Sequence, residues 1–220
     1  MAWISGNYWL SESQMQNNAT IVYNYLKAKG WTLNAIAGML GNMQVESSIN
    51  PGIWEKLTVN YSRGYGLVQW TPATNYTNWA TEHGYDISDG DGQLVWIDEY
   101  TDYYGQWIPT ATYPMTFPEY KVSTDTPEAL AYAFLYDFER PGSLDQPSRQ
   151  TYARNWYNYF YTDPGPDPGP GPDPGPGPDP GPDPGPDPGP DPGPGPTPPP
   201  KSSNKFMFYT TKFIALKRRK

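Results

Sequence analysis

Apolar side chains recur with helical spacing through most of residues 12–159. Ser11-Glu12-Ser13-Gln14 fits a capping box, a Ser followed three residues on by Gln. Behind it Met15, Val22, Tyr25 and Leu26 keep near-helical spacing, and Gly30 stands where a helix stops, which predicts a first helix over 12–29. Thr32 caps a second helix, in which Ala35, Ile36, Met39, Leu40 and Met43 form one stripe. Gly38 and Gly41 lower its intrinsic propensity but admit close approach of another element. The turn Asn50-Pro51-Gly52 ends it near Glu46 or Ser47. Residues 53–70, with Gly64 and Gly66 around Tyr65, Leu67 and Gln69, read as short strand or loop pieces.

The second half repeats the helical signal. Thr71-Pro72 predicts a cap with Pro at the first helical position and a helix to about Glu82. Asp91 is expected to cap a segment carrying Leu94, Ile97 and Tyr104. Thr126-Pro127-Glu128 opens a helix whose stripe is Leu130, Ala133, Phe134 and Phe138, closed by Arg140-Pro141-Gly142. Gln146-Pro147 opens the last, through about Tyr159. The expected fold is α+β, mostly α, in a single domain over 1–162.

Composition marks where that domain ends. Of 28 prolines, 20 lie between Pro164 and Pro200, with 10 of the 22 glycines among them. Residues 163–200 repeat Asp-Pro-Gly-Pro and are expected to be a disordered polyproline-II-biased linker. Fully extended, it reaches on the order of 100 Å. With no cysteine there is no disulfide scaffold, thiol nucleophile or cysteine-ligated zinc. A single histidine, His83, argues against a multi-histidine metal site or a Ser-His-Asp hydrolase. No cofactor and no metal are expected; the loop Asp86–Gly92 misses EF-hand spacing and reads as a turn with a helix cap. No run of ~18 apolar residues is present to span a membrane as a helix. The start lacks the basic and apolar regions of a secretory signal.

Charge is uneven. Residues 1–162 carry net −8, the linker −7 and residues 201–220 +7. An acidic body argues against nucleic acid as a partner, because binding it needs a basic face that displaces counterions. The 9 Trp, 19 Tyr and 7 Phe suit either sugar rings or an ordinary core.

Candidate chemistry centres on Glu46. It falls at the expected C-terminus of an apolar helix, where unpaired carbonyls carry partial negative charge. Met43 one turn back is apolar, so the carboxyl is expected to be partly desolvated. Both effects disfavour the ionised form, which suits a general acid that protonates a glycosidic oxygen.

Glu46-Ser47-Ser48-Ile49-Asn50-Pro51 is followed some twenty residues later by Gly64-Tyr65-Gly66-Leu67-Val68-Gln69-Trp70 and then Thr71-Pro72-Ala73-Thr74. This order resembles the paired motifs of goose-type lysozymes and lytic transglycosylases. The fuller string includes Gly30-Trp31-Thr32, Gly38 through Met43, Asn50 through Trp54 and Phe138-Glu139-Arg140-Pro141. It is similar to the phage tail lysozyme family and, within it, to the amino-terminal domain of the wall-degrading tail-knob proteins of small Bacillus podoviruses. The resemblance covers about residues 5–160. It implies a lysozyme-like domain that cleaves the β-1,4 bond between N-acetylmuramic acid and N-acetylglucosamine in bacterial peptidoglycan, with Glu46 as catalytic acid. It also implies a bacteriophage protein, placed in the virion tail or in the host cytoplasm before lysis. The podovirus proteins carry a second, zinc-dependent endopeptidase domain; with a single histidine, no peptide cleavage is expected of this chain.

The remaining motif residues keep two readings each. Gly66 lets backbone approach a sugar or adopts a left-handed turn. Gln69 bonds a sugar acetamide or Glu46, or else satisfies buried backbone. Trp54 and Trp70 stack on a sugar or pack in the core. Asn50 contacts substrate or caps its turn; Ser47 contacts substrate or bonds local backbone. Leu67 lies inside the same motif. Glycosidases usually need a second carboxylate. Glu55, between the motifs, and Glu139, beside Arg140, are the candidates, with Asp137 behind them. The goose-type and transglycosylase families work without a covalent carboxylate partner. In a transglycosylase the sugar's own 6-hydroxyl replaces water and leaves a 1,6-anhydro end. Residues 201–220 form a basic tail with Phe206, Phe208, Phe213, Ile214 and Leu216 at its centre. It suits an anionic wall polymer, a membrane surface or a virion protein.

Overall fold

Ser11 opens helix α1 (Glu12–Ala28) as the sequence predicts: its hydroxyl takes the Gln14 amide while Gln14 reaches back to the Ser11 amide. The computed structural model describes residues 1–161. The expected linker 163–200, the tail 201–220 and the boundary at 162 lie outside the described residues. Thr32 caps α2 (Leu33–Ser47), and Ser48 ends it in the left-handed conformation (φ 52°).

Helix α2 is buried on nearly every side from Ala35 to Met43, so it serves as the central strut. Its two glycines explain how. A Cβ on Gly38 would meet the backbone of Leu130 and Ala131 at 2.9 Å, and one on Gly41 would meet the Arg149 carbonyl at 2.4 Å. Two further helices therefore lie directly against α2, α6 (Pro127–Phe134) at Gly38 and α7 (Ser148–Phe160) at Gly41. Asn42, fully buried, donates to the carbonyls of Gly38 and Ala131 and ties α2 to α6. Trp31, Phe117, Tyr120, Phe134 and Trp107 complete the core with edge-on and tilted aromatic contacts.

Between these lie α3 (Thr74–Glu82), α4 (Gly90–Val95) and α5 (Phe117–Val122). Helix α4 widens into a π-helical turn, Trp96–Tyr100, and α6 does the same over Leu135–Glu139. Three details differ from expectation. Thr71 does not cap α3: its hydroxyl donates to the Gln69 carbonyl, the Thr71-Pro72 bond is cis, and the helix starts at Thr74. Asp89 rather than Asp91 caps α4, because the Asp91 carboxylate is taken by the Trp3 indole. Helix α5 carries a capping box, Thr116 with Glu119, that the periodicity did not reveal in so short a segment.

The expected β component is reduced to one antiparallel bridge, Trp54 with Tyr65; among the described residues there is no strand. Residues 55–69 turn too often to build a ladder. Lys56, Leu57 and Gln69 all hold positive φ, and Gly66 sits at φ 76°. The fold is thus mostly helical. No helix among the described residues is long and apolar enough to cross a membrane.

Candidate active site

The last turn of α2 sets the site. Ser47 is buried, and its hydroxyl lies 2.9 Å from the carbonyls of both Met43 and Leu67, its single proton shared between them, so the end of the helix is held to the 64–70 segment. Gln93, also buried, braces that segment from behind. Its Oε1 accepts the Leu67 amide at 2.8 Å, and its Nε2 donates to the Pro51 and Ile87 carbonyls. Gly66 is required here twice over. Its φ is positive, and a Cβ would fall 2.6 Å from Gln93 Oε1. Gln93 thus occupies the approach that the sequence left open to a sugar.

Asn50 is completely enclosed, takes the Gly52 amide at 2.9 Å and donates to the carbonyls of Gly6 and Tyr8. It both caps its own turn and clamps the amino-terminal segment. Gln69 donates to the carbonyls of Ile53 and Gly66, satisfying backbone. Trp70 stacks on Tyr76 at 4.6 Å and meets Trp96 edge-on at 5.2 Å, buried. Trp54 packs between Tyr65 and Tyr61 and is nearly enclosed. Leu67 belongs to the core. These six, with Ser47, make their contacts with protein, and they hold the shape of the site from behind.

The carboxylates sort differently. Glu46 keeps 20% of its side-chain surface open, and its Oε1 lies 2.5 Å from Arg149 Nη2. Arg149 itself is only 3% open. Its guanidinium also reaches Asn42 Oδ1 at 2.9 Å and Gln146 Oε1 at 2.8 Å. Both Asn42 amide hydrogens are already committed to carbonyls, so its oxygen is the only atom left to face the arginine.

Glu139, at the end of the widened turn after α6, comes close enough to Glu46 and Arg149 for their charges to act on it. Its Oε1 is out of contact with solvent and has no hydrogen-bond partner among the described residues. Burial, and then the negative charge of Glu46, disfavour its ionised form and raise its pKa well above the carboxylate range; Arg149 and Arg140 oppose this. The structure therefore brings Glu46, Glu139 and Arg149 together. Arg140, the next residue, donates to the backbone carbonyls of Gln106 and Asp137.

Glu55 lies elsewhere in its contacts. Its Oε2 accepts the Gly64 amide at 3.2 Å across the Trp54–Tyr65 bridge, with Lys56 Nζ at 3.9 Å. Asp137 is buried, accepts the Thr110 amide at 3.0 Å, and its pKa is also raised by burial. No cluster of His, Cys, Asp and Glu suited to a metal ion occurs among the described residues. The loop before α4 is closed by its own carboxylates: Asp86 takes the Ser88 amide and hydroxyl.

Three residues of this site escaped the sequence reading. Asn42 stands one helical turn before Glu46, a spacing that places both on one face of α2. Arg149 carries no local signal, since it reaches Glu46 and Asn42 from more than a hundred positions away, and Gln146 enters only through its bond to Arg149.

Comparison with known proteins bears on the same stretch of chain. A relative, Morphogenesis protein 1 of Bacillus phage B103, is 49% identical over 154 residues, 70% of this chain. The match covers 42% of that protein, so the chain spans less than half the length of this relative. The family description that matches is phage tail lysozyme, over residues 17–160, from within α1 to the end of α7 and taking in Glu46, Glu139 and Arg149. The chain belongs to the phage tail lysozyme family.

Proposed function

We propose that this protein is a peptidoglycan glycosidase of a bacteriophage tail. It cleaves the β-1,4 bond between N-acetylmuramic acid and N-acetylglucosamine, with Glu46 delivering the proton to the bridging oxygen. The observation that carries this reading is the pair Glu46 and Glu139 beside one buried guanidinium.

The arithmetic of charge explains why. Two carboxyl groups lie beside Arg149, with Arg140 close to Glu139, and burial shifts Glu139 toward its neutral form. Burial and like charge therefore oppose ionising both members at once. Where two sites interact this strongly, the proton belongs to the pair rather than to either member. Glu46, with part of its surface open, is the member that meets the sugar. When the glycosidic bond breaks, the bridging oxygen keeps the bonding electrons and takes the proton, and positive charge develops on the departing sugar ring. The carboxylate left behind forms within reach of Arg149, which needs no reorganisation to receive it.

Water then completes a hydrolysis; attack by the sugar's own 6-hydroxyl gives a 1,6-anhydro end instead. The printed name of the phage B103 relative, a morphogenesis protein, supports a place in the virion from which the domain acts on the cell wall. Mass analysis of purified peptidoglycan after incubation with the protein tests the reading. New reducing ends mark a hydrolase, new anhydro ends a transglycosylase, and neither marks a non-catalytic wall-binding domain.

A further inference from the structure

Resting on that reading, we propose that Arg149 is the positioning residue of the site: it holds Glu46 in place at the end of α2, receives the carboxylate that proton transfer leaves, and so sets the pH window in which the carboxyl pair works.

Arg149 is built into its place from three directions. Gln146, on the segment leading into α7, fixes Nε; Asn42, one turn before Glu46, fixes Nη1; Glu46 takes Nη2. Asn42 cannot turn away, because its amide group is tied to α2 and α6. Gly41 brings the backbone of Arg149 itself against α2. A buried cation held this tightly is costly unless its partner charge is present. The site thus carries a fixed positive charge.

The charged groups facing it are Glu46 from α2, and Glu139 and Arg140 from the end of the turn that follows α6. Asp137 is engaged with the 108–110 segment. Arg154, on α7 itself, is occupied by Glu128 at 2.6 and 2.7 Å. Arg149 is therefore the cation bonded to Glu46, and its charge also opposes the neutral form of Glu139.

The sign of the effect follows. A nearby cation favours the ionised form of a carboxyl group. Removing that charge moves both limbs of the pH–rate profile upward, by about 1–3 units. Arg149→Met and Arg149→Lys, each checked by circular dichroism and melting, are assayed for release of sugar ends from purified peptidoglycan across pH. Expected is an upward displacement of both limbs in Arg149→Met and a return toward the wild-type profile in Arg149→Lys. A folded Arg149→Met protein that loses rate with its limbs unmoved overturns the proposal, since a merely structural residue behaves that way.

Arg149→Met can fail to fold, and ¹⁵N-arginine NMR of the wild-type protein then carries the test. The Arg149 guanidinium resonances are expected to inflect at the pH values of the activity limbs; resonances flat across that range overturn the proposal. If wild-type protein releases no sugar ends at all, the glycosidase reading fails, and the same NMR titration still reports whether Arg149 follows the pair.

Discussion

Ser47 Oγ donates to the carbonyl of Leu67 at 2.9 Å, joining the last turn of α2 to a segment twenty residues further on. Two motifs that the sequence presents separately are thereby one piece of structure, and Glu46 stands beside the joint. Ser47→Ala leaves the Leu67 carbonyl buried without this donor. The expected loss is about 1–2 kcal/mol of stability, read as a lowered denaturant midpoint with unchanged slope.

Gly41→Ala tests how closely α7 must approach α2. Alanine gains about 1 kcal/mol of helix propensity over glycine. Its Cβ, however, would lie 2.4 Å from the Arg149 carbonyl oxygen and 2.8 Å from the Ala153 amide nitrogen, both backbone atoms that cannot swing aside. Overpacking of this kind costs about 1–3 kcal/mol. The expected balance is a net destabilisation with reduced activity, because the shift moves Arg149. Thermal melting and the peptidoglycan assay check the two halves.

Glu139→Gln tests the buried carboxyl. The folded protein holds the Glu139 proton to a higher pH than the unfolded chain, whose value is 4.5. A group raised in this way gives stability that is complete below the unfolded value and is lost as pH rises toward the folded one. Glutamine has no proton to lose. The melting temperature of Glu139→Gln minus that of wild type should therefore grow as pH rises from 4.5 toward neutrality. A difference that stays constant across this range contradicts a raised folded-state pKa of Glu139.

The helical frame was legible wherever a local device marks it. The Ser11–Gln14 box and the Thr32 cap fixed the starts of α1 and α2, and the small residues Gly38 and Gly41 announced close packing whose partners only the structure names. Thr71-Pro72 misled because the same dipeptide that opens a helix also serves a turn, and the Thr71 hydroxyl is spent on Gln69. The β region was overestimated because glycine and positive-φ positions between Lys56 and Gln69 break pairing after a single bridge. The place of Glu46 in the last turn of α2 was legible from the helix-end signals. The opposing carboxyl was narrowed only to candidates. Arg149 was not legible at all, since a partner contributed by another helix leaves no trace in spacing.

The most direct measurement is release of sugar ends from purified peptidoglycan by wild type and by Glu46→Gln at matched pH, with melting curves alongside. Wild type should produce new reducing or anhydro ends, and the variant should retain its fold while losing activity by roughly 10²-fold to 10⁴-fold, the usual contribution of a positioned proton donor. A folded Glu46→Gln protein that cleaves the glycan at the wild-type rate would contradict the account.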